Sequence, residues 1–270
     1  MKNSFCCITR FFAILVWITG FTLIGHNPVE AAVLAQNVQE GPVNNFDLTT
    51  RNNAENTTVL DWAIWGENGS TALSPSTSMN GGSGIGNLTD INPHGIPLRG
   101  LGGLFLPVWP SFQWSDGTPT ESATTVKAGI QHNAESNPNI NTGFETEISG
   151  QAGQYYTVDI WFGSHRGTTR ITASLNGADS VSYDLVANEA INDKFGWATY
   201  SFMPDSSDDK LTIQAVLTSS TAATGNTYFF GASLATDADS QVPEPVSMSL
   251  MAAGIVLLLA YRKHFRSGAK

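Results

Sequence analysis

Between Thr57 and Leu234 no stretch of ten or more residues repeats its apolar side chains at the helical period. The chain instead runs as short β-prone segments broken by Gly, Asn, Asp, Ser and Pro. In YYTVDIWF, Tyr156, Val158, Ile160 and Phe162 share one face, while Tyr155, Thr157, Asp159 and Trp161 share the other. RITASL places Ile171, Ala173 and Leu175 on one side, and the Asn176-Gly177 pair that follows suits a tight hairpin because both residues tolerate positive φ. KLTIQAVL aligns Leu211, Ile213, Ala215 and Leu217; TYFFGASL aligns Tyr228, Phe230, Ala232 and Leu234 as a closing strand. TVLDWAIWG, IGNLTDI, SFQWSDG and SATTVKAG are further short strands between Gly- and Pro-rich stretches. This spacing predicts an all-β fold, a two-sheet antiparallel sandwich of jelly-roll type, and not a βαβ architecture.

The termini have a different texture. Lys2 and Arg10 precede FFAILVWITGFTLIG, and Ala31, Ala32 and Ala35 follow, which is the charged, apolar and small-residue order of a secretory signal peptide with cleavage after Ala31 or Ala35. Cys6 and Cys7 lie in that segment, so the exported part would hold neither a disulfide nor a Cys-ligated metal. At the other end, Val242, Pro243, Glu244 and Pro245 precede an apolar run at 246–261 and a basic tail at 262–270. Sixteen residues make a helix of about 24 Å at 1.5 Å per residue, short against a hydrocarbon core of about 30 Å. With Arg262 and Lys263 on the cytoplasmic side, the domain would lie outside, in agreement with the signal segment. The expected organisation is a signal peptide at 1–35, a polar leader or edge strand at 36–56, and a β-sandwich at 57–235. A linker at 236–245, a transmembrane segment and the basic tail complete it.

Charge narrows the range of partners. Residues 37–242 hold 7 Lys and Arg against 21 Asp and Glu, a formal charge of −14, compared with −10 for the whole chain. A surface of that sign repels nucleic acid and anionic lipid, and no basic patch with interleaved aromatics opposes it.

Local signals for chemistry are few. Glu145 and Glu147 share one strand face, but with no opposing carboxyl group they read as acids on the wet side of a strand, not as a glycosidase pair. Asp205, Asp208 and Asp209 read as a solvated hairpin tip, with a structural calcium ion left open as the alternative. His94, His132 and His165 show neither a His-x-His nor an HExxH spacing. His165 and Arg166 occupy a loop between two strong strands, where a side chain can face a ligand or merely complete a turn. No GxSxG elbow occurs. Among the tryptophans, Trp62 and Trp65 read as core, whereas Trp161, flanked by Asp159, is the one expected nearest solvent and the candidate for stacking on a sugar ring.

Two resemblances follow from these residues. DWAIWG (61–66), FQWSDGTPT (112–120), GFETEI (143–148) and VDIWFGSHRGTTRITASLNGA (158–178) resemble a bacterial domain of the galactose-binding-like, jelly-roll superfamily over about residues 57–235. Ile64 stands where that pattern has His, Gln113 where it has Ser, and Asn176-Gly177 replaces a Ser-Asp-Gly turn. The superfamily includes sugar binders, and this subgroup has no agreed catalytic set, so the resemblance implies a fold more than an activity. Val242-Pro243-Glu244-Pro245, the apolar run and Arg262-Lys263 resemble the PEP-CTERM sorting signal, which implies export, processing by an exosortase, and an envelope or matrix fate. The resulting expectation is an exported, non-catalytic surface or matrix protein that binds an extracellular glycan. The alternatives are a structural surface protein without a small ligand and a polysaccharide-modifying enzyme.

Overall fold

The computed structural model describes residues 33–41, 45–50, 57–92, 95–102, 109–132, 140–177, 179–188, 192–222 and 224–237. Residues 1–32 of the signal segment, His94, the Val-Pro-Glu-Pro motif, the apolar run and the basic tail lie outside them. Among the described residues no helix is long and apolar enough to cross a membrane.

Strands in the first half are β1 (Val33–Glu40), β2 (Phe46–Asp47), β3 (Thr57–Ile64), β4 (Thr77–Met79), β5 (Thr89–Ile91), β6 (Leu98–Gly100), β7 (Phe112–Trp114), β8 (Gly117–Thr118), β9 (Ala123–Val126) and β10 (Ile130–His132). The second half has β11 (Gly143–Ser149), β12 (Tyr156–His165), β13 (Gly167–Leu175), β14 (Asp179–Val186), β15 (Asp193–Phe202), β16 (Lys210–Ser220) and β17 (Asn226–Asp237). They form a large sheet in the order β1-β15-β12-β17-β3-β4-β8, with β10 and β6 attached beside β17. A second sheet runs β14-β13-β16-β11-β5. Pairing in both sheets is antiparallel. The chain is therefore an all-β antiparallel sandwich.

The alternation read from the sequence places the inner core. Val158, Ile160 and Phe162 of the large sheet and Ile171, Ala173, Leu175, Leu211, Ile213, Ala215 and Leu217 of the second are all buried. Each such large aliphatic or aromatic side chain contributes about 1.5–3 kcal/mol on burial. At one end of this interior a hydroxyl pair joins the sheets, Thr169 Oγ1 to Thr227 Oγ1 at 2.8 Å. At the hairpin after β13, Asn176 and Gly177 have φ of 52° and 71°, the left-handed values that a tight turn requires.

One expectation is corrected here. Tyr228 and Phe230 do not share a face with Ala232 and Leu234, because the β12–β17 register slips between Trp161 and Phe162: Trp161 pairs with Gly231 and Phe162 with Phe229. Phe230 is the extra residue of this bulge, so it joins Tyr228 on the outer face, while Ala232 and Leu234 pair with Ile160 and Val158.

The segment taken as a polar leader is built into the fold. Its β1 is the edge-strand alternative, pairing with β15 from Val33 to Glu40. The Glu40 carboxylate ties this edge to both sheets, accepting from Lys194 Nζ at 2.8 Å and from the Tyr183 hydroxyl at 2.5 Å. That bond is the main reason the Tyr183 phenol is pushed up to about 12. Further along, Phe46 and Leu48 are buried.

The reason for that burial is a third layer. β2, β7 and β9 form a small sheet, with β2 parallel to β7, that lies against the outer face of the large sheet. Its Phe46, Phe112 and Trp114 meet Trp62, Ile64, Trp161, Tyr228 and Phe230 in a second aromatic core. The large sheet is thus dry on both sides in its middle, and β12 is buried almost throughout.

Candidate functional site

Trp161 is only 2% exposed. Its face is the one the alternation assigned, but Phe46 and Phe112 occupy that face, at ring-centroid distances of 4.7 and 5.3 Å. Trp161 therefore packs a core. The half-exposed tryptophan is its cross-strand partner Trp197, against which Phe46 sets an edge at 5.4 Å.

The three aspartates of the β15–β16 hairpin do not converge on an ion. Asp209 turns both oxygens back onto the loop, accepting from the backbone N–H of Asp205 and Ser206 and from the Ser206 hydroxyl. Those bonds, the Ser206 N–H first, hold its carboxyl below the usual range. Among the described residues no group of three metal-ligating His, Cys, Asp or Glu side chains is assembled. Glu145 accepts from Gln214 Nε2 at 2.6 Å, and Glu147 is exposed on the same strand face.

His132 is buried on the inner side, stacked on Phe144 at 4.9 Å, with Nε2 2.7 Å from Asp90 Oδ1. It joins β10 of one sheet to β5 of the other.

His165 and Arg166 belong to a richer arrangement at one end of the outer face. Register lays a row across β6, β10, β17, β12 and β15, running Arg99, Gln131, Tyr228, Gly163 and Phe195. The next residues facing the same way are His165, paired with Asn226 and Asp193. Gly163 is required here because a Cβ would stand 2.8 Å from Tyr228 Cδ2 and 3.0 Å from Phe195 Cδ1. The two rings lie nearly parallel, 14° apart, and Trp109 packs over both.

Asp193 organises the polar end of this row. His165 Nδ1 lies 2.8 Å from its Oδ1, and the Tyr228 hydroxyl donates to the same oxygen at 2.7 Å. Burial works to raise the Asp193 carboxyl, but the bonds from His165 and Tyr228 and the charge of Arg166 outweigh it, so it stays below the usual range. The Tyr228 phenol is driven up, first by burial and then by the Asp193 charge. Arg166 donates to Asn192 Oδ1 at 3.0 Å and to Thr224 Oγ1 at 3.4 Å.

Two polar atoms of the cluster lack hydrogen bonds, Gln131 Oε1 and Trp109 Nε1, and both are buried. One is an acceptor and the other a donor. Both belong to neighbours of Tyr228: Gln131 is paired with it across the strands, and the Trp109 ring lies 6.0 Å from its ring, tilted by 51°. Three further such atoms occur among the described residues, His132 Nδ1 inside the sandwich and Trp161 Nε1 and Ser233 Oγ elsewhere. Of the described residues, those around Tyr228 place a donor and an acceptor of this kind beside polar groups that reach solvent, Arg99, His165 and Asp193. Sequence reasoning found His165 and Arg166 but missed Arg99, Gln131, Asp193 and Tyr228. The scarcity of cations was the signal available for Arg99; the others meet only through register.

The fold and site define an all-β sandwich with a covered outer face and a mixed polar and aromatic cluster at one end of it. No protein-family model and no curated protein matches this chain. Solved structures similar to it include a carbohydrate-binding module, TmCBM61, in complex with β-1,4-galactotriose: 12% identity over 54% of this chain and 86% of the other, TM-score 0.30. Another is the K1 cleaved adhesin domain of Lys-gingipain from Porphyromonas gingivalis W83, with 10% identity over 65% and 97% and a TM-score of 0.36. A family 35 carbohydrate-binding module from Clostridium thermocellum matches at 11% identity over 55% and 97%, with a TM-score of 0.25.

Proposed function

We propose that this chain is an exported, non-catalytic binding protein of the cell surface or extracellular matrix, and that the Tyr228 end of the outer face holds a glycan. The observation that carries the reading is the unbonded acceptor Gln131 Oε1 and the unbonded donor Trp109 Nε1, both on neighbours of Tyr228. Leaving a buried donor or acceptor unpaired costs about 1–3 kcal/mol, and a ligand rich in hydroxyl groups both donates and accepts, so one molecule can relieve both atoms. The aromatic rings beneath supply apolar contact, and His165, Asp193 and Arg99 supply polar groups at the rim.

Export is supported by the N-terminal signal pattern. Delivery through an exosortase-type step is supported by Val242-Pro243-Glu244-Pro245 and the basic residues Arg262 and Lys263. The test is retention of the purified protein by a glycan panel. Gln131→Ala should lose retention while melting close to wild type, and Trp161→Phe, a change in the covered core, should keep it. Folded protein that ignores every glycan would sink the reading.

A further inference from the structure

Residues 37–242 contain Arg51, Arg99, Lys127, Arg166, Arg170, Lys194 and Lys210 as their only Lys and Arg. Two of these are committed to carboxylates: Arg170 forms a two-pronged pair with Asp184, at 2.7 and 2.8 Å, and Lys194 is bound to Glu40. Lys210 donates to Ser149 Oγ on the second sheet, Lys127 donates to the Trp109 carbonyl at 3.5 Å, and Arg51 lies outside the described residues. Arg99 and Arg166 differ. Arg99 is exposed, and the hydrogen-bond partners of Arg166 are neutral oxygens of Asn192 and Thr224. Both flank the Tyr228 cluster, Arg99 at one end of the cross-strand row and Arg166 next to His165. Strand β6 of Arg99 and strand β12, which Arg166 follows, are three spacings apart, about 14 Å, and Arg166 lies three residues beyond the row of Arg99, so the two side chains would meet separate groups of one extended ligand.

Arg166 also adopts a conformation that its residue type disfavours. Its φ is 45°, in the left-handed region, which costs a side-chain-bearing residue about 1–2 kcal/mol relative to the right-handed one. The turn enforces it: Arg166 N–H donates to Asn192 O, while its own carbonyl accepts from Thr221 N–H and from the hydroxyls of Ser220 and Thr221. Glycine would fit this turn without strain, so a turn requirement alone does not account for an arginine there.

We infer that the glycan held at the Tyr228 end is acidic, a uronic-acid-containing chain whose carboxylates are met by Arg99 and Arg166, with His165 between them. This rests on the glycan reading above and narrows its ligand class. The Asp193 carboxylate is a negative charge at the same end, offset in part by Arg166, so a bound carboxylate depends on both arginines together. The charges of both arginines also reach the Tyr228 phenol, acting to lower it against burial. The negative charge of the remaining surface is screened beyond about 8 Å at physiological salt, so the local cations govern a bound carboxylate.

The experiment is binding of the full chain to polygalacturonate and alginate oligosaccharides and to neutral galactan and xylan oligosaccharides of equal length, at 50 and 500 mM salt. The inference expects the acidic chains to bind about tenfold or more tightly than the neutral ones and to weaken as salt rises. Arg99→Gln should lose about tenfold for the acidic chains alone. Arg166→Gly, which relieves the left-handed strain, should melt within a few degrees of wild type and yet lose acidic binding to a similar extent. Neutral chains bound equally well, with both arginine variants unaffected, would overturn the acidic inference and leave the glycan reading standing. Absence of binding to all four would overturn both.

Discussion

The ring of Phe46 lies 4.7 Å from that of Trp161, tilted by 59°, and closes the outer face of the large sheet over the residue best placed by sequence to meet a sugar. Phe46 comes from a segment that reads as polar leader, more than a hundred residues before Trp161. This one contact moves Trp161 from a surface role to a core role.

Trp161→Ala should therefore destabilise the protein by roughly 3–5 kcal/mol, the usual range for emptying a buried aromatic site. Trp161→Phe should cost much less, because the indole N–H makes no hydrogen bond that would be lost. Urea unfolding of the two variants checks this. An alanine variant as stable as wild type would mean that the third layer does not cover β12.

Asp61 is buried on β3 and accepts from the backbone N–H of Ile85 at 2.8 Å. A Cβ at Gly82 would stand 2.0 Å from Asp61 Oδ1. Gly82→Ala should cost about 1–3 kcal/mol by overpacking. In a double-mutant cycle with Asp61→Ala, coupling of at least about 0.5 kcal/mol should appear, since both act at one contact. Additive effects would show that the loop and the carboxylate do not meet.

The same carboxyl has a pH signature. Burial raises it, and the backbone amides of Ile85, Gly84 and Trp62 only partly offset this. With the folded value above the unfolded one, its contribution is fully present below the unfolded carboxylate range and is lost as pH rises through the folded value. Stability measured from pH 4 upward should fall less steeply in Asp61→Asn than in wild type.

Asp193 carries the opposite sign. Its folded value is depressed, so its contribution is present above the ordinary carboxylate range, about 3.9, and is lost as pH falls through the folded value. Tyr228→Phe removes one of the bonds that hold it down. The acid-unfolding midpoint of that variant should move to higher pH, and an unchanged midpoint would argue that the hydroxyl does not bond Asp193.

Strand β1 starts at Val33, where it pairs with Phe202. Removal of a signal segment after Ala31 leaves this strand whole, whereas removal after Ala35 takes three residues from it. The expected mature N-terminus is Ala32, readable by mass measurement of exported protein. A start at Gln36 would contradict the role given to the first turn of pairing.

The inner core was legible because it is a period-two pattern: Ile171, Ala173 and Leu175, and Leu211, Ile213, Ala215 and Leu217, are buried as their alternation requires. Phe230 was not, because a bulge at Trp161 and Phe162 inserts one residue and reverses the face, and no local residue marks where a register slips. His165 and Arg166 stood out as a polar pair between two strands, yet Asp193 and Tyr228, which His165 meets, lie on other strands further along the chain. Glu145, Glu147, Asp205, Asp208 and Asp209 show the converse: acids close in sequence that the fold does not aim at one point.

By itself, then, the sequence determined that the chain forms β-strands, which side of most strands is apolar, and where the hairpin at Asn176-Gly177 turns. These are local matters of dihedral preference and side-chain period. Tertiary structure decided that a third layer covers Trp161, that Phe46 belongs to a core, and that a donor, an acceptor and two arginines lie at the Tyr228 end of one face. Those are matters of register and of contact between distant segments, where the alternation of one strand carries no information about what packs against it.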